Sequence, residues 1–167
     1  MRRLMLFSVF VVLAGCSSNV GQTVMQDFGL QDRPDDYVSG EQRVMQNMRA
    51  VGVQEMKRLN TLNRRGEIIY EEGDNFQGKY FKQVKVYERA YAVDASPEGR
   101  RSNRTVTGFT GTIEYAYQYY EGRREANRTN AEAADAVIPT GRTGRDRFRY
   151  HFSTSGNWDG NAGDSLR

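Results

Sequence analysis

The 167-residue chain has one cysteine, one histidine, one tryptophan and three prolines, and its only long hydrophobic stretch is residues 4–13. A single cysteine excludes an internal disulfide framework. The lone histidine, His151, lies outside any HExxH motif, and no GxSxG sequence occurs, so two common hydrolase motifs are absent. Without disulfides, the stability of the fold must come from packing, which suits the 10 tyrosines and 8 phenylalanines.

Residues 1–16 have the pattern of a secretory signal, with two arginines, a short hydrophobic stretch and small residues before a cysteine. The stretch is about half of the ~20 residues that a membrane-spanning helix needs. It ends on Leu13, Ala14, Gly15 and Cys16, which resembles the lipobox of bacterial lipoproteins. That resemblance implies diacylglyceryl transfer to the Cys16 sulfur, removal of residues 1–15 and N-acylation of Cys16. It predicts a palmitoylated membrane lipoprotein of the cell envelope.

Residues 16–38 are polar and predict a tether between the lipid and a folded domain. Ser17 follows the cysteine, and in lipoproteins with this box a residue other than Asp favours the outer membrane over the inner one. Loss of Arg2 and Arg3 leaves 22 basic and 21 acidic side chains in the mature chain. A charge this balanced does not predict a nucleic-acid partner.

Residues 39–158 predict one α+β domain, in which an amphipathic helix or helix pair precedes an antiparallel meander of four or five strands. Ser39 and Gln42 form a capping-box pattern before a helical stripe that runs to Asn63. Gly52 weakens the middle of this segment and leaves two shorter helices possible. Gly66 is expected to end it.

Alternating residues after Gly66 predict strands at 67–71, 79–93, 105–121 and 145–153. In the second, Tyr87, Tyr91 and Val93 are expected on one face, in a central strand covered on both sides. Residues 95–103 and 140–144 are predicted loops, with a short helix capped by Thr129 before the latter. Trp158 is expected to close the sheet, and residues 159–167 to form a flexible tail.

The best candidate site is basic. Alternation places Arg145, Arg147 and Arg149 on one strand face, with Arg142 in the adjoining glycine loop. Together they could bind phosphate or carboxylate, as in lipid headgroups or cell-wall polymers. The ordinary interpretation is a solvated face, or cross-strand pairs with Glu88 or Glu114, and it is preferred because such arginines are common on sheet surfaces.

Other candidate residues give weaker signals. His151 falls on the arginine face, where a solvated histidine is expected rather than a catalytic one. The acidic segment 159–164 lacks the ligand spacing of an EF-hand, so no metal is predicted. No motif predicts a cofactor or an enzyme.

Three functions remain open. The first is a lipid-anchored, non-catalytic interaction or structural module, whose partner is an envelope protein. The second is a binding protein for an anionic envelope ligand or polymer, and the third is a hydrolase. The sequence favours them in that order, because nothing in it has catalytic spacing.

Overall fold

The computed structural model describes residues 26–27, 32, 37–73, 78–100 and 105–166. Helix α1 (Gly40–Asn63) is followed by strands β1 (Glu67–Glu71), β2 (Lys79–Arg100), β3 (Thr105–Glu121), β4 (Ile138–Phe152) and β5 (Asp164–Leu166), with a short helix α2 (Arg128–Ala133) between β3 and β4. The strands pair antiparallel in chain order and curl into a half-barrel. The predicted α+β meander is confirmed.

The predicted signal peptide, Cys16 and most of the predicted tether lie outside the described residues. Among the residues that are described, no helix combines the length and the apolar character needed to span a membrane.

Both ends of α1 form as the sequence predicts. The Ser39 hydroxyl accepts a hydrogen bond from the Gln42 backbone N–H at 3.2 Å, and the Gln42 side chain accepts one from the Ser39 N–H at 3.0 Å. This reciprocal pair is a complete capping box. After Asn63, Gly66 takes a φ of +64°, a left-handed conformation that favours glycine.

Gly52 does not divide the helix, so α1 is one helix and not a pair. A Cβ atom at this position would lie 3.0 Å from the Cβ of Ala90 and 3.5 Å from Cγ2 of Ile113. Glycine costs a helix about 1 kcal/mol relative to alanine. Here it allows the helix backbone to approach the sheet, and the contact with Ile113 offsets that cost.

The buried side of α1 and the inner face of the half-barrel form one core. On β3 the inward side chains are Phe109, Ile113 and Tyr115, as alternation predicts, and Thr112 lies on the outer face. The remaining members of the core cluster come from the helix and from strands β2 and β4: Val44, Met48, Val51, Leu59, Tyr87, Tyr150 and Phe152.

Strand β2 departs most from the sequence prediction. It runs to Arg100, so the loop expected from residue 95 is wrong for residues 95–100, and residues 101–104 lie outside the described part. β1 pairs only with residues 79–83, so the rest of β2 is an edge strand and not a covered central one. Pro97 is tolerated on this edge because its missing N–H removes no ladder bond there.

Two register shifts in β2 reverse its side-chain pattern. One extra residue is inserted between Tyr87 and Arg89, and another between Ala92 and Asp94. Each such bulge reverses the phase of alternation. Tyr91 and Val93 consequently reach the outer face, 42% and 46% exposed, and the prediction that they share the inner face with Tyr87 is wrong.

The C-terminal part contains more strand than predicted. Residues 140–144 belong to β4, and Thr143 and Gly144 pair with Gln118 and Tyr117 of β3, so the predicted glycine loop is wrong. Asn127 rather than Thr129 caps α2, accepting from the Asn130 N–H at 2.9 Å. Trp158 forms an isolated bridge to Phe152, but the last strand of the sheet is β5 and not the segment around Trp158. Part of the expected tail forms β5, which pairs with β4.

The core predicts a large difference between two neighbouring positions on β3. Ile113→Ala should lower the free energy of unfolding by about 2–5 kcal/mol, because Ile113 is fully buried under α1. Thr112→Ala, on the outer face, should cost well under 1 kcal/mol, on the order of an ordinary surface substitution. Denaturant titration measures both, and equal losses would contradict the inward phase of β3.

Candidate functional site

The sheet separates the four candidate arginines. Arg145, Arg147 and Arg149 lie together on the outer face, as alternation predicts, opposite Ala116, Glu114 and Thr112 of β3. Arg142 belongs to the same strand but to the other parity, so it lies on the inner face. Its Nη1 donates to Oε1 of Gln83 at 3.2 Å, and its guanidinium lies 4.6 Å from the ring centre of Tyr119. The predicted set of four is therefore not one site.

Two of the outer arginines share one carboxylate. Arg145 Nη1 donates to Oε1 of Glu114 at 2.7 Å, and Arg147 Nε donates to Oε2 at 2.8 Å. The Glu114 side chain is only 8% exposed, whereas the arginines are 67% and 59% exposed. The hydrogen bond from Arg147, helped by that from Arg145, lowers the pKa of Glu114 despite the opposing effect of burial.

Arg149 differs from its two neighbours, because it forms no ion pair with any residue in the described ranges. The pairing with Glu114 is the ordinary interpretation that the sequence analysis considered. Because one carboxylate balances only one of the two arginines that share it, these three arginines and Glu114 together keep a net positive charge, carried by exposed side chains that bind an anionic polymer weakly.

His151 lies on the outer face beside the arginines, as predicted, and both its ring nitrogens face carboxylates. Nδ1 is 3.1 Å from Oε2 of Glu98, and Nε2 is 3.5 Å from Oδ2 of Asp164. The hydrogen bond with Glu98 is the main cause that raises the pKa of His151 above its ordinary value. The two carboxylates favour the protonated ring, in which both nitrogens carry hydrogen and neither can act as a base or bind a metal.

The acidic segment at 159–164 does not gather its oxygens around one point. Asp159 accepts hydrogen bonds from the backbone and side-chain nitrogens of Asn161, at 2.9 and 2.8 Å. Asp164 instead faces His151. Within the described residues no group of three or more His, Cys, Asp or Glu side chains is placed to hold a metal ion.

Sequence reasoning missed a cluster of tyrosines on the inner face, which we call the tyrosine cluster: Tyr87, Tyr115, Tyr117, Tyr119 and Tyr150. Tyr87 lies 5.7 Å from Tyr115 and 5.9 Å from Tyr117 between ring centres, edge to face. Tyr115, Tyr117 and Tyr119 alternate along β3, so they share a face. Tyr87 and Tyr150 join them through strand pairing, which leaves no local sequence signal.

Two charged residues complete this cluster at the end nearest the C-terminus of α1. Asp146 accepts a hydrogen bond from the Tyr87 hydroxyl at 2.6 Å and pairs with Lys85. The Lys85 ammonium lies 4.0 Å from the ring centre of Tyr117, a cation–π contact. Lys85 and Asp146 are 61 positions apart in the chain, so no motif could reveal them.

Three tyrosines of the cluster have raised pKa values. Burial raises the pKa of Tyr87 far above its ordinary value, and the hydrogen bond to Asp146 adds to the effect. Burial also raises the pKa of Tyr115 to about 12, and its hydroxyl lies 2.9 Å from that of Tyr150, whose pKa burial raises as well. These three rings are buried, so Tyr117 and Tyr119, which are half-buried, are the rings of the cluster that a partner could contact.

No family model, curated protein or solved structure matches this chain. Its function must accordingly be inferred from the residues themselves.

The shared pairing at Glu114 predicts that two exposed arginines matter for stability. Because both side chains are exposed, the double substitution Arg145→Ala with Arg147→Ala would by exposure alone be expected to leave Tm unchanged. Because the pair neutralises a covered carboxylate, the double variant should instead lower Tm at pH 7. Adding Glu114→Gln should restore part of the loss, since a neutral amide needs no cation.

The pH dependence of that loss provides the check. A carboxylate whose pKa is lowered in the folded state stabilises the fold at pH values above the ordinary carboxyl pKa. This stabilisation is lost as the pH falls through the lowered pKa. The Tm difference between the parent chain and the double variant should therefore shrink on acidification. An unchanged Tm at pH 7 would show that Glu114 does not need the arginines.

Proposed function

We propose that this protein is a lipid-anchored cell-envelope protein that acts as a non-catalytic interaction module. The anchor is the lipid on Cys16, the mature domain presents its sheet to an envelope protein, and the outer membrane is the favoured location. The lipobox resemblance supports the anchor, and the arrangement of the domain around the start of α1 supports the rest.

One observation carries the proposal: the chain preceding the domain is fixed at the N-terminus of α1. Asp27 Oδ1 accepts from the Gly40 N–H at 3.0 Å and from the Tyr37 hydroxyl, and Asp27 Oδ2 pairs with Arg43 at 3.1 Å. A carboxylate at this end is favourable because it meets the positive end of the helix dipole. The lipid-bearing segment therefore joins the domain at that end.

The charged end of the tyrosine cluster lies at the opposite end of α1. Asn60 and Asn63, in the last turn of the helix, donate to the backbone carbonyls of Tyr87 and Lys85. A helix of 24 residues is about 36 Å long. The domain thus extends away from its attachment point and leaves the partly exposed Lys85 and Asp146, at the charged end of the tyrosine cluster, about 36 Å from it.

The anchor predicts a processing defect. Cys16→Ser should leave an uncleaved precursor without acyl chains, whereas the parent chain should lose residues 1–15. Burial of acyl chains contributes about 0.8 kcal/mol per CH₂, so two or three chains hold the mature protein on the membrane. Mass spectrometry of the N-terminus and membrane fractionation measure both effects.

Ser17→Asp is the matched control for location. It keeps Cys16, so it should be lipidated normally, and in a cell with two membranes it should shift the protein toward the inner one. Normal maturation and membrane retention of the Cys16→Ser chain would contradict the lipoprotein proposal.

The second candidate, an anionic ligand on the arginine face, depends most on Arg149, because Arg145 and Arg147 already donate hydrogen bonds to Glu114. We expect no salt-dependent binding of the mature chain to vesicles containing phosphatidylglycerol. Exposed charges are screened over about 8 Å at physiological ionic strength, so arginines that do not converge on one ligand bind weakly.

Titration at low and high salt measures this, with Arg149→Ala compared against Arg142→Ala on the opposite face. Binding that falls with salt and is lost only in Arg149→Ala would restore the arginine face as the functional surface.

A further inference from the structure

Helix α1 closes only part of the free edge of β2. Near its C-terminus, the Asn63 side chain donates to the Lys85 carbonyl at 3.0 Å. Asn60 both donates to the Tyr87 carbonyl and accepts from the Tyr87 N–H, each at 2.8 Å. Two side-chain amides thus occupy the backbone positions that a neighbouring strand would fill. The backbone groups of Lys85 and Tyr87 must therefore face away from β3.

Three alanines further along β2 have the same backbone orientation. Lys85 and Tyr87 pair with odd-numbered residues of β3, and so do Ala90, Ala92 and Ala95. In an antiparallel ladder, alternate pairs turn their N–H and C=O groups away from the neighbouring strand. The backbone groups of these three alanines therefore face the free edge, and no side chain of α1 bonds to them within the described residues.

The alanine side chains are partly buried, but their backbone edge is left open because α1 crosses the sheet diagonally. Its last turn reaches the edge of β2, Gly52 packs on both Ala90 and Ile113, and Gly40 lies against the Phe109 ring of β3. The N-terminal half of the helix consequently diverges from the edge. Two adjoining cavities of about 560 and 500 Å³ fill the gap and share Met45 and Gln46 as lining residues. We call this gap the edge groove.

We propose that the edge groove binds an extended segment of a partner polypeptide, which adds a strand to β2 along residues 90–95. The inference rests on the proposed function and names its surface and the kind of partner. Unpaired backbone donors and acceptors at strand spacing are complemented by another extended backbone, as in other cases of strand addition.

Side chains around the edge define the chemistry of this segment. Between residues 90 and 95, the inward positions of β2 are alanines. Their small side chains leave room beside Met45 for larger apolar side chains of the added segment. On the outer face, Tyr91 and Val93 are 42% and 46% exposed and would be cross-strand neighbours of the added strand. The fitting segment is therefore apolar on both faces, with β-branched and aromatic residues.

Charges at the two ends of the edge groove define the charge pattern of the segment. Arg49 lines the part near Ala90, and Glu41 and Asp94 line the part near Ala95. A segment antiparallel to β2 would match these charges with a basic residue at its N-terminal end and an acidic residue at its C-terminal end.

A second copy of the chain is a poorer occupant. Paired strands lie about 4.8 Å apart, whereas packed helices need interaxial distances of 8–10 Å. Each copy carries α1 beside this same edge, so direct pairing of two β2 edges would bring the two helices into collision.

The test uses the mature chain, residues 16–167, with Cys16→Ser to remove the acylation site. The probe is a random octapeptide library displayed on phage, and enriched peptides are synthesised and titrated. We expect apolar β-formers of alternating size, whose binding slows hydrogen exchange at the amides of Ala90, Ala92 and Ala95.

Two blocking variants should weaken this binding about tenfold or more, on the scale expected for lost hydrogen bonds and shape. Ala92→Pro removes an edge-facing N–H without touching the β2–β3 ladder. Gln46→Trp fills the edge groove from an exposed helix position, and Gln54→Trp, on an exposed part of α1 outside the groove, is the matched control that should bind normally.

Each remaining outcome overturns the inference in a distinct way. Peptides that bind both blocking variants as tightly as the parent chain would place the interaction on another surface and leave the proposed function intact. No enrichment at all would remove strand addition, whereas the anchor stands or falls separately with Cys16→Ser. A concentration-dependent dimer lost in Ala92→Pro would make the occupant a second copy.

Discussion

The close approach of α1 to the inner face of the sheet is the contact on which the rest of the structure depends. Gly52 lets the helix backbone approach Ala90 and Ile113, and Gly111 on β3 leaves space for the Met48 side chain. A five-stranded sheet that curls only into a half-barrel leaves its apolar inner face open. The helix covers that face, so its buried residues and those of β3 and β4 form a single core.

This contact also explains why the edge of β2 is covered at one end and open at the other. Strands in a sheet are rotated by about 20–25° relative to their neighbours, whereas α1 is one uninterrupted helix. A helix packed against such a surface cannot follow one strand along its whole length. Asn60 and Asn63 satisfy the β2 backbone where helix and edge meet, and residues 90–95 are left without an equivalent.

The fold could be predicted wherever local periodicity decides structure. The Ser39 cap, the helical stripe and the alternation in β3 all act within a few residues, and each is found where the sequence placed it. The errors arise where pairing between strands, and not local sequence, decides the structure. The bulge between Tyr87 and Arg89 sends Tyr91 and Val93 outward, and Pro97 continues a strand because its nitrogen faces a free edge. Neither depends on the residues immediately around it.

The surfaces of possible functional importance were less predictable, because they depend on register between strands. Glu114 pairs with Arg145 and Arg147 because the β3–β4 register places them side by side. Lys85 contacts Asp146 only when β2, β3 and β4 are paired. The tether and the edge groove follow the same logic. Asp27 holds the preceding chain at the start of α1, and the edge groove runs beside that half of the helix. A partner strand bound there would lie nearer the start of α1 than the charged end of the tyrosine cluster does, so one partner could use both surfaces only by following the length of α1.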